Sequence, residues 1–205
     1  MSIERHRRSG HVRRDRLWEL AASQRGYFTA AQAVELGYSH QAQHFHAQQG
    51  NWLRIGRALY RLREFAILPG GDHDHFVRWW LWSGQRAVVS HLSALAVHDL
   101  GIANPAEIHL TVGRGFRQKN DQVVLHRAEL PADDVEDREG FRVTTPVRAI
   151  SESAADGADQ DVIDSAVSEL LQRGGATRGQ LIRAAQRLGS RAELGVERAL
   201  RAERT

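Results

Sequence analysis

The chain contains no cysteine. That single absence removes disulfides, thiolate-ligated zinc and a thiol nucleophile, and a reducing cytoplasm is the simplest setting to expect. Lysine is almost missing as well. Of 28 basic residues only Lys119 is a lysine, so any chemistry that needs an amine has one candidate. No apolar run approaches the roughly 18–20 residues of a membrane-spanning helix, and no membrane association is expected. The polar, arginine-rich start lacks the apolar stretch of a signal peptide. No Gly-Lys-Ser/Thr phosphate loop occurs, nor the ordered kinase set of glycine-rich loop, strand lysine and catalytic aspartates. No nucleophile-elbow motif is present, and no cofactor is expected.

What is present is a globular composition, 41% apolar and 26% charged, with an uneven charge distribution. Residues 1–63 carry 11 arginines against 4 acids, a balance of +7, while residues 64–205 carry 17 basic against 21 acidic residues, a balance of −4. A basic block joined to an acidic remainder suggests a nucleic-acid module on a domain with a different partner.

Residues 1–12 read as a basic, flexible arm. A helix is expected over about Arg13–Gln24, with Leu17, Leu20 and Ala21 on one face. Thr29 and Gln32 form a capping box that opens a second helix, stopped by Gly37. Ser39 is a good N-cap for a third, His40–Gln49, in which Ala42 and Phe45 are the clear core contacts. Its other positions are polar, a face of Gln, His and Ser that suits base edges in the major groove. Two short strands follow, Trp52–Ile55 and Ala58–Leu62, and this hairpin carries Arg54, Arg57, Arg61 and Arg63, well placed to hold phosphates. The order is that of a winged helix-turn-helix over residues 13–66. Its candidate DNA-binding residues are Ser39, His40, Gln41, Gln43, His44, Arg54, Arg57, Arg61 and Arg63. His40, His44 and His46 are also potential metal ligands, although base or phosphate contact suits their position better.

Pro69-Gly70-Gly71 is the expected boundary. Beyond it, residues 72–205 read as a mixed α/β domain. An aromatic helix over Asp74–Ser83 carries Trp79, Trp80 and Trp82, mainly as core. Strands are expected over Glu107–Val112, Gln122–Arg127 and Phe141–Thr144, and several amphipathic helices follow. Thr177/Gln180 and Ser190/Glu193 look like two further capping boxes. The segment between the first two strands holds Arg114, Arg117 and Lys119, either a plain hairpin turn or a site for phosphate or an acidic partner. Asp72, His73, Asp74 and His75 raise the question of metal, but helix capping by Asp72 or Asp74 explains them equally well. The fold class is therefore α+β.

The string GYFTAAQAVELGYSHQAQHFHAQQGNWLRIGRALYRL (Gly26–Leu62) resembles the N-terminal winged helix of AbiEi-type antitoxins of type IV toxin–antitoxin systems. VVSHLSALAVHDLG (Val88–Gly101), EIHLTV (Glu107–Val112) and FRVTTPVRAISESA (Phe141–Ala154) are similar to that family's C-terminal domain, in the same order and at similar spacing. The resemblance implies a winged helix that binds inverted repeats in its own promoter and represses it. It also implies a C-terminal domain that neutralises a nucleotidyltransferase-like toxin, directly or indirectly. An atypical kinase-like antitoxin that phosphorylates the toxin, a plain winged-helix regulator and a pure interaction module remain alternatives. A related architecture carries a nuclease domain. Such a domain needs clustered carboxylates beside a lysine, and Lys119 lies far in sequence from Glu193 and Glu197.

Overall fold

A computed structural model describes residues 2–68, 70–71 and 73–203, with side chains from residue 11 onward. The fold is α+β: among the described residues ten α-helices accompany one three-stranded and one five-stranded sheet. The chain divides into two compact units, residues 1–85 and 86–205. Among the described residues no helix is long and apolar enough to cross a membrane.

In the first unit α1 spans Ser2–Ser23. It takes in most of the segment expected as a flexible arm, which holds no proline and whose one interior glycine, Gly10, costs only ~1 kcal/mol. Leu17 and Ala21, one turn apart, are buried with Gln24, whereas Trp18 is exposed. The chain then forms β1 (Tyr27–Thr29), α2 (Ala30–Glu35), α3 (His40–Gln48), β2 (Trp52–Gly56), β3 (Leu59–Leu62), α4 (Arg63–Ile67) and α5 (Asp74–Trp82). The strands pair antiparallel in the order β1-β3-β2. β1 is too short for its alternation to stand out in the sequence.

The capping box at Thr29 forms as its residue types require, with Gln32 N donating to the Thr29 hydroxyl and Gln32 Oε1 accepting from Thr29 N at 2.8 Å. Gln32 Nε2 also donates to Gln24 Oε1 at 2.9 Å, which ties α2 to the end of α1. The core gathers Leu17, Ala21, Phe28, Ala33, Tyr38, Trp52 and Leu62. Trp52 takes Phe28 edge-on at 4.8 Å and Tyr38 at 5.1 Å, arrangements that add to simple area burial. Gly26 has φ +88°, and a Cβ there would lie 2.3 Å from Phe65 Cβ, so no other residue fits this corner.

The aromatic helix belongs to this first unit. Asp74 pairs with Arg61 of β3 at 3.0 Å, both side chains being nearly buried, and Phe76, Val77, Trp79 and Leu81 face inward. The division therefore falls after Gln85 and not at Pro69-Gly70-Gly71; Pro69 and Asp72 lie outside the described residues. Asp74 caps nothing, because His73 occupies the N-cap position.

The second unit runs β4 (Val88–Val89), α6 (His91–Val97), β5 (Ile108–Val112), β6 (Val123–Arg127), β7 (Val135–Arg138), β8 (Phe141–Thr144), α7 (Pro146–Asp156), α8 (Gln160–Gln172), α9 (Arg178–Leu188) and α10 (Ser190–Ala202). The sheet order is β6-β5-β4-β8-β7. β5 and β6 pair parallel, so residues 113–122 form a crossover connection and not a hairpin turn. The capping box at Thr177 forms. The one expected at Ser190 does not, because α10 starts from Gly189 at φ +103° and Glu193 accepts from Gln186 instead. Gly101 adopts φ +63° with Ser165 so close that a Cβ would fall 2.4 Å from its hydroxyl.

Replacing Asp74 with alanine leaves Arg61 nearly buried without a carboxylate and is expected to destabilise the first unit by about 2–3 kcal/mol. Asp15→Ala, which removes an exposed pair with Arg14 at 4.0 Å, should cost less than about 0.5 kcal/mol. Chemical unfolding of the two variants distinguishes these outcomes, and equal effects would show that the Asp74 pair does not join α5 to β3.

Candidate functional site

The third helix has two unlike sides. Ser39 caps it, its hydroxyl accepting from Ala42 N at 3.1 Å. Ser39, His40, Gln41, His44, Phe45 and Gln48 are exposed. Gln43 turns inward and is 2% exposed, its amide donating to the carbonyls of Ala30 at 3.2 Å and Tyr38 at 3.4 Å. It is a structural glutamine, unavailable to a base edge. Phe45 makes the opposite departure: expected in the core, it is 55% exposed. The contact it was expected to make falls to His46, whose ring stacks on Trp52 at 4.9 Å and 14°. Burial holds His46 below its ordinary pKa, which favours the neutral ring in that stack.

The hairpin of β2 and β3 separates its arginines in the same way. Arg54 and Arg57 are exposed, Arg54 on β2 beside a bulge and Arg57 near the tip. Ala58 completes the turn at φ +55°, and its carbonyl accepts from Ala30 N at 2.9 Å, which anchors the tip to α2. Arg61 is committed internally. Its guanidinium donates to Asp74 at 3.0 Å and to the Arg25 carbonyl at 3.2 Å, and it lies 4.8 Å from the Tyr27 ring centroid. Arg63 is exposed but opens α4, outside the hairpin. The structure thus leaves Ser39, His40, Gln41, His44, Arg54, Arg57 and Arg63 at the surface and withdraws Gln43 and Arg61. None of them lines the cleft of about 500 Å3 in this unit, whose walls include Trp18, Tyr38, His46 and Trp52.

In the second unit the crossover after β5 is pinned by Phe116, buried beneath the Arg86 guanidinium at 4.9 Å. Arg114, Arg117 and Lys119 are exposed around it. In the Asp72–His75 stretch the Asp74 carboxylate is taken by Arg61.

Composition did not point to a polar network inside this unit. Glu152 of α7 is 3% exposed and is met only by donors: His91 N at 2.8 Å, Thr144 Oγ1 at 2.7 Å and Arg148 Nε at 3.0 Å. That is the environment an ionised carboxylate needs, although burial pushes its pKa up against all three. Arg148 reaches on to Asp134 at 3.1 Å, which also binds Arg187 at 3.1 Å. His91 lies 3.7 Å from Glu152, within ion-pair range, yet its ring is neutral. Burial, with His126, His109 and Arg148 nearby, pushes its pKa down to about 2, and its Nδ1 meets Ser90 Oγ at 2.9 Å. The ring lies on His126 with centroids 3.5 Å apart. His91 also holds φ +53°, a region that side chains other than glycine seldom occupy outside turns and functional sites. The available signal was the placing of His109 and His126 on two neighbouring strands. It becomes legible only once the strands are known to pair parallel.

No protein-family profile and no curated protein matches the chain. In three dimensions it is similar to the crystal structure of RV2827C protein from Mycobacterium tuberculosis. That likeness has a TM-score of 0.61 at 12% identity and spans 91% of this chain and 75% of the other, and it shows a shared fold.

Burial lowers the pKa of His91, His98, His109 and His126. Between those depressed values and the ordinary ~6.5 the unfolded chain binds more protons than the folded one, so stability falls as pH drops below about 6.5. Each fully displaced histidine costs up to ~1.4 kcal/mol per pH unit. Urea unfolding followed through the second unit from pH 7.5 to 5 should show this loss, and stability that rose on acidification would contradict the neutral, buried cluster. Glu152→Ala, which leaves Arg148 buried beside missing charge, should cost about 3–5 kcal/mol.

Proposed function

We propose that the first unit is a winged helix-turn-helix that binds duplex DNA, and that the chain is the antitoxin of an AbiEi-like pair. In this reading it represses its own promoter through inverted repeats, and its second unit opposes a nucleotidyltransferase-like toxin. One observation carries the DNA-binding part. α3 turns its only buried glutamine inward and keeps His40, Gln41, His44 and Gln48 outside, while the adjoining hairpin exposes Arg54 and Arg57 and retains Arg61. Imidazole and amide groups on a helix match donors and acceptors along the major groove, and arginines on a hairpin match phosphates. The exposed Phe45 adds an apolar group suited to a thymine methyl. The toxin-opposing part rests on the resemblance of Val88–Gly101, Glu107–Val112 and Phe141–Ala154 to that family's C-terminal domain.

Binding to the chain's own upstream DNA should weaken steeply with salt, with a log–log slope of about −5 for some six phosphate contacts. Arg54→Ala combined with Arg57→Ala should lower affinity for all sequences and reduce that slope by about 2. His44→Ala and Phe45→Ala should alter which bases are preferred. Gln43→Ala and Arg61→Ala should instead reduce stability while leaving the preference of the folded protein unchanged. Fluorescence anisotropy across a salt series reads the binding effects and chemical unfolding the stability effects, and a flat salt response or a silent Arg54/Arg57 pair would overturn the reading.

A further inference from the structure

The parallel register of β5 and β6 sets His109 opposite Val124 and Thr111 opposite His126. Side chains two apart along a strand share a face, so His109 and His126 project on the same side of the sheet, one step apart on neighbouring strands. His109 Nδ1 lies 3.0 Å from His126 Nε2, and the rings are nearly parallel at 16°. Asp156, exposed at the end of α7, completes a group in which one donor atom from each residue lies within 4.8 Å of the other two. Among the described residues it is the one such cluster of histidines and carboxylates.

We propose that His109, His126 and Asp156 bind a four-coordinate divalent ion of the Zn2+ type, with a fourth position left open. Two bonds of ~2.0–2.1 Å at a tetrahedral angle place two imidazole nitrogens about 3.3 Å apart, so the observed pair needs to open by only about 0.3 Å. Two imidazoles and one carboxylate suit zinc and its first-row neighbours, whereas magnesium and calcium call for oxygen ligands. The rings are held in place from behind. His91 lies flat on His126 at 3.5 Å, and Ser90 Oγ, beside His91 Nδ1, accepts from Thr111 Oγ1 at 2.8 Å. Ser93 Oγ meets His109 N at 2.9 Å and fixes that part of β5 to α6. These contacts brace the His126 ring and the strand that carries His109. Three protein ligands and an open fourth place leave room for water or for a donor from another molecule. The residues involved all belong to the second unit, so the proposal stands or falls independently of DNA binding.

The test uses the full chain, stripped with a chelator and titrated with Co2+, whose absorption is intense in four-coordinate sites and weak in six-coordinate ones. One Co2+ per chain with the intense spectrum, displaced by Zn2+, is expected. His109→Asn, His126→Gln and Asp156→Asn should each weaken binding at least about tenfold, while His44→Asn should leave it unchanged. Because Asp156 is exposed, Asp156→Asn serves as the decisive variant should either histidine variant fail to fold. Zn2+ should also raise the unfolding temperature of the parent chain by clearly more than that of Asp156→Asn, with Mg2+ inert toward both. No stoichiometric Co2+, a weak six-coordinate spectrum, or binding undiminished by Asp156→Asn would each overturn the assignment. In that event the His109–His126 contact is a hydrogen bond between two neutral rings.

Discussion

A carboxylate removed from water must be met by donors on every side, and the second unit is organised around that requirement at Glu152. A single acceptor group draws together the first residue of α6, the end of β8 and one turn of α7, through His91 N, Thr144 Oγ1 and Arg148 Nε. Desolvating such a charge is costly, and breaking one of its partners costs more than the pair itself contributes. His91, at φ +53°, points its N–H at the carboxylate while its ring covers His126.

The first unit follows a different logic, based on aromatic packing. Trp52 is contacted by Phe28, Tyr38, His46 and Tyr60, so α3 is held against β2 largely by rings. A helix fixed through His46 and Gln43 on one side has to present the opposite side outward. The exposed row on α3 therefore follows from the packing beneath it, and it needs no loop or flexible segment to be displayed.

How far the sequence could be read depended on the range of the signal. The capping boxes at Thr29 and Thr177 and the N-cap at Ser39 are local, and each is found where its residue types indicate. The helix α3 was visible but its facing was not. With few apolar residues along it, polarity did not reveal that Gln43 has two carbonyls to satisfy inside, or that Phe45 faces solvent. β4 is two residues long and β7 reads Val-Glu-Asp-Arg, so neither carries enough apolar pattern to register. The pairing of β5 with β6 is beyond any reading of alternation, because parallel and antiparallel neighbours share the same period. With that pairing hidden, His109 and His126 remained two unrelated histidines. The boundary was displaced for a related reason: Gly70 and Gly71 look like a linker, while the pair that crosses them, Arg61 with Asp74, is a contact between residues 13 positions apart.

That contact has a bearing on modularity. A conventional cut after the hairpin would sever α5 from the sheet that neutralises it, uncovering Phe76, Val77 and Trp79 and leaving a guanidinium inside without its counter-charge. The smallest part that recombination can exchange between relatives, or that can be produced alone in good order, is longer than the minimal helix-and-hairpin motif by one aromatic helix. Swaps made at the glycine pair part α5 from the sheet it packs on, whereas swaps made beyond Gln85 carry the first unit's interior whole.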